Sequence, residues 1–301
     1  MLTQTKTSAD PATTPALSLK GVDHTARPTW KLRETIEFYR DKLGLPLVHV
    51  ISARGWGPAT HPDFLHFFFD SGRGSTIAFF YYLGTEQPSA LESRSAMKPL
   101  PEDHVFDATH TAWLVDSEEE LQAWRHRLQS KGLNVSVETR HEVIESVYVR
   151  DPNGYFIEFT RKLRPLTPID TRDAELTLQA ALQAEDAATR AGRRVTSVDE
   201  IWAQKAALLD RPDGSSNAAV RIYVPQVEEF SSLVTEAKAR KECRVVTQEG
   251  YDCIEARQAV EFHRKTLGLK PAVWYGLFTG GVHGRVAVLD RDRVVIEPLS
   301  V

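Results

Sequence analysis

Hydrophobic and polar positions follow the same order of patterns twice in the first half of the chain. The first copy predicts a strand, a helix that stops at Gly44 and three more strands, over 17–26, 31–43, 45–51, 64–69 and 75–82. The second copy predicts the same order, with its helix stopping at Gly132, over 106–115, 117–131, 134–139, 146–150 and 155–160. The sequence therefore predicts an internal repeat of a strand-helix-three-strand unit.

Short identities between the two copies support this repeat. His24-Thr25-Ala26 recurs as His110-Thr111-Ala112, and Ile77-Ala78-Phe79 recurs as Ile157-Glu158-Phe159. Two such units related by pseudo-twofold symmetry would bring their first and last strands around one cleft. If Ile157 and Phe159 lie on the other face of their strand, the carboxylate of Glu158 points inward, where it is costly unless paired or bound to a metal.

Two histidines and this glutamate form a candidate metal site. A single histidine is more often a core or surface residue than a ligand, but His24 and His110 occupy equivalent places in the two copies. The first-copy equivalent of Glu158 is Ala78, which cannot coordinate a metal, so three protein ligands are predicted. Two histidines and one carboxylate suit non-haem Fe(II), and zinc accepts the same ligand types.

The repeat resembles the vicinal oxygen chelate superfamily, which includes glyoxalase I, bleomycin-resistance proteins and type I extradiol dioxygenases. Within it, the segment 139–158 resembles the extradiol dioxygenase signature at His141, Val147-Tyr148, Asp151-Pro152, Gly154 and Glu158. The resemblance implies an α+β domain of two βαβββ units over residues 18–165. It also implies that His24, His110 and Glu158 hold Fe(II), with Mn, Zn or Ni as other candidates.

By the same resemblance, His141 and Tyr148 would hydrogen-bond the substrate oxygens and move the catechol proton. The sequence departs from the extradiol pattern at Ser75, where those enzymes carry a further active-site histidine. His66 or His61 could replace that histidine from a neighbouring strand or loop. Trp56, in the Gly/Pro-rich loop 52–63, is a candidate substrate-pocket residue together with His66.

The expected function is an extradiol-type dioxygenase that takes a small catechol-like aromatic and O2 as substrates. One alternative is an isomerase, epimerase or lyase of the same superfamily that uses Zn, Mn or Ni, which the loss of a histidine at Ser75 favours. Another alternative is a metal-free ligand-binding module of the resistance type. The sequence leaves all three open, and it also leaves open whether the chain forms a homo-oligomer.

The rest of the chain shows no family resemblance. Residues 1–17 are rich in Thr, Ala, Pro and Ser and are predicted to be a disordered tail. Residues 166–217 are predicted to be a helical linker, with helices over 170–191 and 198–209. Residues 218–301 are predicted to form a smaller α+β domain that includes a helix over 256–267 and a strand near 272–278. An echo of 37–45 in 261–269 suggests a degenerate third copy of the unit.

Charge and cysteine content narrow the partners and the compartment. The net charge is −4, with Lys and Arg scattered along the chain, so we expect neither nucleic acid nor an anionic membrane as a partner. No apolar run is long enough for a membrane span. The only cysteines are Cys243 and Cys253, which favours a reduced, cytoplasmic protein.

Overall fold

The structure is a computed structural model that describes residues 21–54, 60–89, 109–210 and 218–299. The predicted tail over 1–17 and the candidate pocket residue Trp56 lie outside the described residues. The chain falls into two compact units. The first comprises Met1–Ala96 with Arg150–Tyr155, and the second comprises Met97–Val149 with Phe156–Val301.

The first unit contains a four-stranded sheet covered by one helix. Its elements are β1 (His24–Thr29), α1 (Leu32–Ile36), a π-helical continuation (Glu37–Leu43), β2 (Leu47–Ala53), β3 (Phe64–Gly72) and β4 (Ser75–Tyr82). The helix ends at Gly44, as predicted, because its φ of 83° is a left-handed conformation that glycine adopts without strain. The strand order is β1-β4-β3-β2, with β1 parallel to β4.

The second unit begins with the same arrangement. Its elements are β5 (His110–Leu114), α2 (Glu118–Ser130), β6 (Thr139–Arg140), β7 (Ile144–Arg150) and β8 (Phe156–Lys162). The strand order is β5-β8-β7-β6, with β5 parallel to β8. The predicted βαβββ repeat is therefore confirmed.

Strand register also confirms which residues are equivalent in the two copies. In the first sheet Ala26 lies opposite Ala78, and in the second Ala112 lies opposite Glu158. His24 and His110 each stand two residues before that alanine, at the start of the first strand. Alanine at position 78 leaves only the second copy with a carboxylate at this place.

The described remainder of the second unit is built from five α-helices and two further sheets. Its helices are α3 (Pro168–Arg190), α4 (Val198–Leu209), α5 (Ser231–Lys238), α6 (Arg264–Leu267) and α7 (Pro271–Tyr275). Its strands are β9 (Val220–Pro225), β10 (Cys243–Gln248), β11 (Tyr251–Ala256), β12 (Val260–His263), β13 (Val282–His283), β14 (Arg285–Leu289) and β15 (Arg293–Glu297). The sheets have the orders β10-β11-β9-β13 and β12-β15-β14. No helix in the described part of the chain has both the length and the hydropathy of a membrane span.

Three predictions for this region are wrong. The helix expected over 256–267 is replaced by β12 and the short helix α6, because Val260 and Phe262 alternate with Glu261 and pair with β15. The strand expected near 272–278 is the helix α7, which begins at Pro271 and buries Val273 and Trp274. The suggested third copy also fails, because its expected helix is absent and β10, which precedes that segment, pairs with β11 in antiparallel orientation.

Candidate metal centre

Glu158 is a buried carboxylate on β8, with only 3% of the residue exposed. Ile157 and Phe159 are also buried, and the Phe159 ring contacts Trp113 and Trp124 with centroid distances of 5.5 and 4.6 Å. The sheet is therefore buried at this strand on both faces, which explains why the flanking residues are apolar. A buried carboxylate in such a place needs donors or a cation.

Two hydroxyl groups from the neighbouring strand β7 supply donors to one oxygen of Glu158. Ser146 Oγ donates to Oε1 at 2.5 Å, and Tyr148 Oη donates to the same oxygen at 3.2 Å. Ser146 and Tyr148 stand two positions apart, so both side chains project from the same face of the strand. The sequence patterns did not predict the part played by Ser146, whose only signal was its spacing from Tyr148.

His110 approaches the other oxygen of Glu158. Its Nε2 lies 3.1 Å from Oε2, and its side chain is 37% exposed. This spacing brings one imidazole nitrogen and one carboxylate oxygen side by side, as two residues that would hold the same divalent ion. The mixed nitrogen and oxygen donor set also suits Fe(II), Mn or Zn.

His141 and Tyr148 continue the hydrogen-bond chain away from Glu158. His141 Nε2 lies 3.1 Å from Tyr148 Oη. Because the phenol gives its one proton to the carboxylate, which can only accept, its oxygen accepts from His141. Burial, assisted by the charge of Glu158, raises the pKa of Tyr148 to about 12, so the phenol stays protonated at neutral pH.

His24 belongs to the first unit and has its own partners there. Its Nδ1 lies 2.7 Å from Asp23 Oδ1, and its ring meets the Phe68 ring edge-on at 5.8 Å. With Nδ1 bonded to the carboxylate, Nε2 is the ring nitrogen that is left as a potential ligand atom. Among the described residues, no three or more His, Cys, Asp or Glu side chains are grouped to hold a metal ion. The three-ligand set stays a prediction.

His66 lies on β3 and is only 6% exposed. Its Nδ1 donates to the carbonyl oxygen of Phe79 at 3.1 Å, because a carbonyl can only accept, and its ring stacks on Phe80 at 3.7 Å. Burial lowers the pKa of His66, so the ring is neutral at neutral pH. The Ser75 hydroxyl donates to the carbonyl oxygen of Val22 at 2.6 Å.

Residues 21–159 match the model of the Glyoxalase/Bleomycin resistance protein/Dioxygenase superfamily. We call that segment the glyoxalase-superfamily domain, after the model that it matches. The match covers slightly less than half of the chain and confirms the superfamily that the repeat resembled. It does not distinguish the extradiol dioxygenases from the other members.

Three solved structures illustrate the similarity. Lactoylglutathione lyase from Agrobacterium tumefaciens is 21% identical, covers 48% of this chain and 94% of its own, and has a TM-score of 0.33. A mutant of the fosfomycin resistance protein FosX from Listeria monocytogenes, complexed with Mn(II) and 1S,2S-dihydroxypropylphosphonic acid, is 15% identical, covers 47% and 92%, and has a TM-score of 0.32. The antibiotic binding protein TnmS3 from Streptomyces sp. CB03234 is 16% identical, covers 49% and 99%, and has a TM-score of 0.32. No curated protein matches the chain.

The first copy of the glyoxalase-superfamily domain carries a row of aromatic side chains that the sequence patterns did not predict. Paired residues of β3 and β4 share a sheet face, and so do residues two apart in one strand. On the face that carries His24 these positions are Phe64, His66, Phe68, Phe80 and Tyr82. Phe80 stacks on Tyr82 with centroids 5.7 Å apart. The consecutive aromatic runs over 67–69 and 79–82 were the available signal. The rings of His66, Phe80 and Tyr82 lie nearly parallel to one another, whereas Phe64 is tilted against Phe80 and Phe68 against His66.

A cavity of about 280 Å³ lies beside His141 in the second unit. The glyoxalase-superfamily domain lines it with Arg140, His141 and Glu142, and the C-terminal half lines it with groups that include Ser232 and Lys270. Burial, with the nearby charge of Glu229, raises the pKa of the Glu142 carboxyl. Residues of the C-terminal half therefore line the same cavity as His141, which is a predicted catalytic residue.

Proposed function

We propose that the glyoxalase-superfamily domain is a divalent-metal enzyme that cleaves a small catechol-like aromatic with O2, as an extradiol-type dioxygenase. The observation that carries the proposal is the buried Glu158 carboxylate, with His110 Nε2 at 3.1 Å from one oxygen and a Tyr148–His141 chain on the other. His110 and Glu158 hold the ion in this proposal. His24 is the third ligand, because it is the equivalent of His110 in the first copy.

Fe(II) is the proposed ion, since two histidines and one carboxylate leave positions at which a catecholate and O2 bind. The chain's own groups supply the proton handling. Tyr148 Oη holds a proton between Glu158 and His141, and its high pKa keeps that proton in place until a stronger base or an anionic substrate oxygen takes it. His141 replaces the proton at Tyr148 Oη.

The aromatic face of the first copy supports an aromatic substrate. Phe68, which contacts His24, also contacts His66 with ring centroids 4.2 Å apart. Aromatic side chains favour offset or edge-on packing with another ring, which adds stability beyond the area that is buried. A planar catechol bound beside His24 would meet such rings.

A second candidate function is a metal-dependent isomerase, epimerase or lyase with Mn, Zn or Ni. Ser75 favours it, because its hydroxyl is bound to the carbonyl oxygen of Val22 and cannot act as the missing acid-base histidine. His66 lies on the same sheet face as His24 and has a neutral ring, so it is the residue that would restore oxygenase chemistry. A metal-free binding module is the third candidate, and the aromatic face is the feature that favours it.

The test is the metal content of protein purified anaerobically without chelators, followed by oxygen uptake with catechol and 2,3-dihydroxybiphenyl. About one iron per chain with uptake and a yellow ring-cleavage product is the expected result. Mn, Zn or Ni without uptake would favour the isomerase or lyase. Protein with no metal, and none bound on reconstitution, would favour the binding module.

Tyr148→Phe is expected to lower kcat for oxygen uptake by about 100-fold, because the variant lacks the proton that joins His141 to Glu158. Metal affinity is expected to change little, since Ser146 still donates to Glu158. The measurements are steady-state kinetics and metal titration, with the half-exposed Tyr275→Phe as control. An unchanged kcat would exclude Tyr148 from the reaction.

A further inference from the structure

The turn between β7 and β8 is unusual because its polar side chains are buried. Asp151 is 1% exposed and Asn153 is 3% exposed, although turn residues of this type normally face water. The residues Arg150–Tyr155 pack with the first unit, whereas most of the two strands they join belongs to the second. A tight hairpin turn needs none of this burial, so the contacts call for a separate explanation.

Hydrogen bonds tie both polar side chains of the turn to β1 and to the helix that follows it. Tyr39 Oη donates to Asp151 Oδ2 at 3.0 Å. Thr29 Oγ1 donates to Asn153 Oδ1 at 2.7 Å, and Asn153 Nδ2 donates to Thr35 Oγ1 at 3.0 Å. All five residues are buried. We call this set of five residues the turn latch.

The next residue along the chain reinforces the turn latch. Tyr155 Oη donates to the carbonyl oxygen of Pro28 at 3.2 Å, and the Arg27 guanidinium lies over the Tyr155 ring at 5.0 Å from its centroid. The backbone N–H groups of Asn153 and Tyr155 both donate to Asp151 Oδ1 at 2.9 Å, which fixes the shape of the turn itself. The turn is thus rigid and attached to β1.

Positions along the chain connect this latch with the proposed metal ligands. Thr29 stands five residues after His24 on β1, and Asn153 stands five residues before Glu158 on β8. We propose that the turn latch holds the turn that leads directly into β8, so that it fixes the start of the strand that carries Glu158; this inference rests on the proposed function. Tyr39, Thr29 and Asn153 are then positioning residues. A shift of the turn would leave buried donors and acceptors unpaired, which keeps its position unique.

Tyr39→Phe tests the latch, because it removes one buried hydrogen bond and keeps the ring. The matched control is Tyr251→Phe, in which an equally buried tyrosine loses its 2.7 Å bond to Asp173 Oδ1 in the C-terminal half. We expect Tyr39→Phe to weaken Mn²⁺ binding by about tenfold. Tyr251→Phe is expected to lower the melting temperature comparably and to leave the Mn²⁺ affinity within about twofold.

Hydrogen exchange of metal-free protein gives a second readout that does not depend on metal binding. Faster exchange across 156–162 is expected in Tyr39→Phe and not in Tyr251→Phe. Thr29→Val, which keeps the shape and removes the donor to Asn153, is expected to act like Tyr39→Phe. Exchange and Mn²⁺ affinity equal to those of the control variant would overturn the latch. A different outcome is that wild-type protein binds no Mn²⁺ while Tyr39→Phe still exchanges faster than Tyr251→Phe across 156–162. That result would overturn the proposed function, but the effect of the latch on β8 would stand.

Discussion

Glu158→Gln is expected to weaken divalent-metal binding by at least about 100-fold and to remove oxygen uptake with catechols. The amide is neutral, so it no longer balances the charge of a cation beside His110. The fold is expected to persist, because the amide oxygen still accepts from Ser146 and Tyr148, which both donate to Oε1 of the native residue. Metal titration by calorimetry and oxygen uptake measure the two effects.

Glu145→Gln is the control for this experiment. Glu145 lies on β7 of the same sheet, is partly buried, and forms an ion pair with Arg161 at 2.6 Å instead of contacting the proposed ligands. We expect this variant to keep its metal. Stoichiometric, tight metal binding by Glu158→Gln would remove Glu158 from the ligand set and with it the proposed facial triad.

The repeat and its equivalent positions were predictable because they depend on patterns within each strand and helix. The glycine that ends the first helix, the strand Ser75–Tyr82 and the helix Val198–Leu209 agree with the prediction. Matching the sequence around Ala78 with that around Glu158 anticipated the register of both sheets. The apolar neighbours Ile157 and Phe159, which face the opposite side of the strand from Glu158, also predicted that the Glu158 side chain points inward.

What the sequence did not predict depends on contacts between distant segments. Val260 to His263 forms a strand because β15 pairs with it, and that partner lies about 30 residues away. The side chains of Asp151 and Asn153 have ordinary turn composition, and only their bonds to Tyr39, Thr29 and Thr35 show that the turn is buried. The hydrogen bond from Ser146 to Glu158 likewise depends on the pairing of β7 with β8.

Lys205 is the second residue for which we expect a large effect, here on stability. Its side chain is fully buried on α4, and Nζ donates to Asp173 Oδ1 at 2.6 Å, Thr177 Oγ1 at 2.7 Å and the carbonyl oxygen of Thr279 at 2.7 Å. Burial lowers the pKa of Lys205, and the Asp173 carboxylate opposes that shift. One ammonium group therefore joins α3, α4 and the loop before β13.

Lys205→Met is expected to lower the free energy of unfolding by about 3–5 kcal/mol, because it leaves the Asp173 carboxylate and the Thr279 carbonyl without their cation in a buried place. Urea denaturation measures the loss, and the exposed Lys265→Met on α6, expected to change stability by less than about 0.5 kcal/mol, is the control. Adding Asp173→Asn to Lys205→Met should recover part of the loss, since the stranded charge is then gone. If Lys205→Met alone is as stable as wild type, the cost of desolvating the ammonium group cancels the stability that its three hydrogen bonds supply.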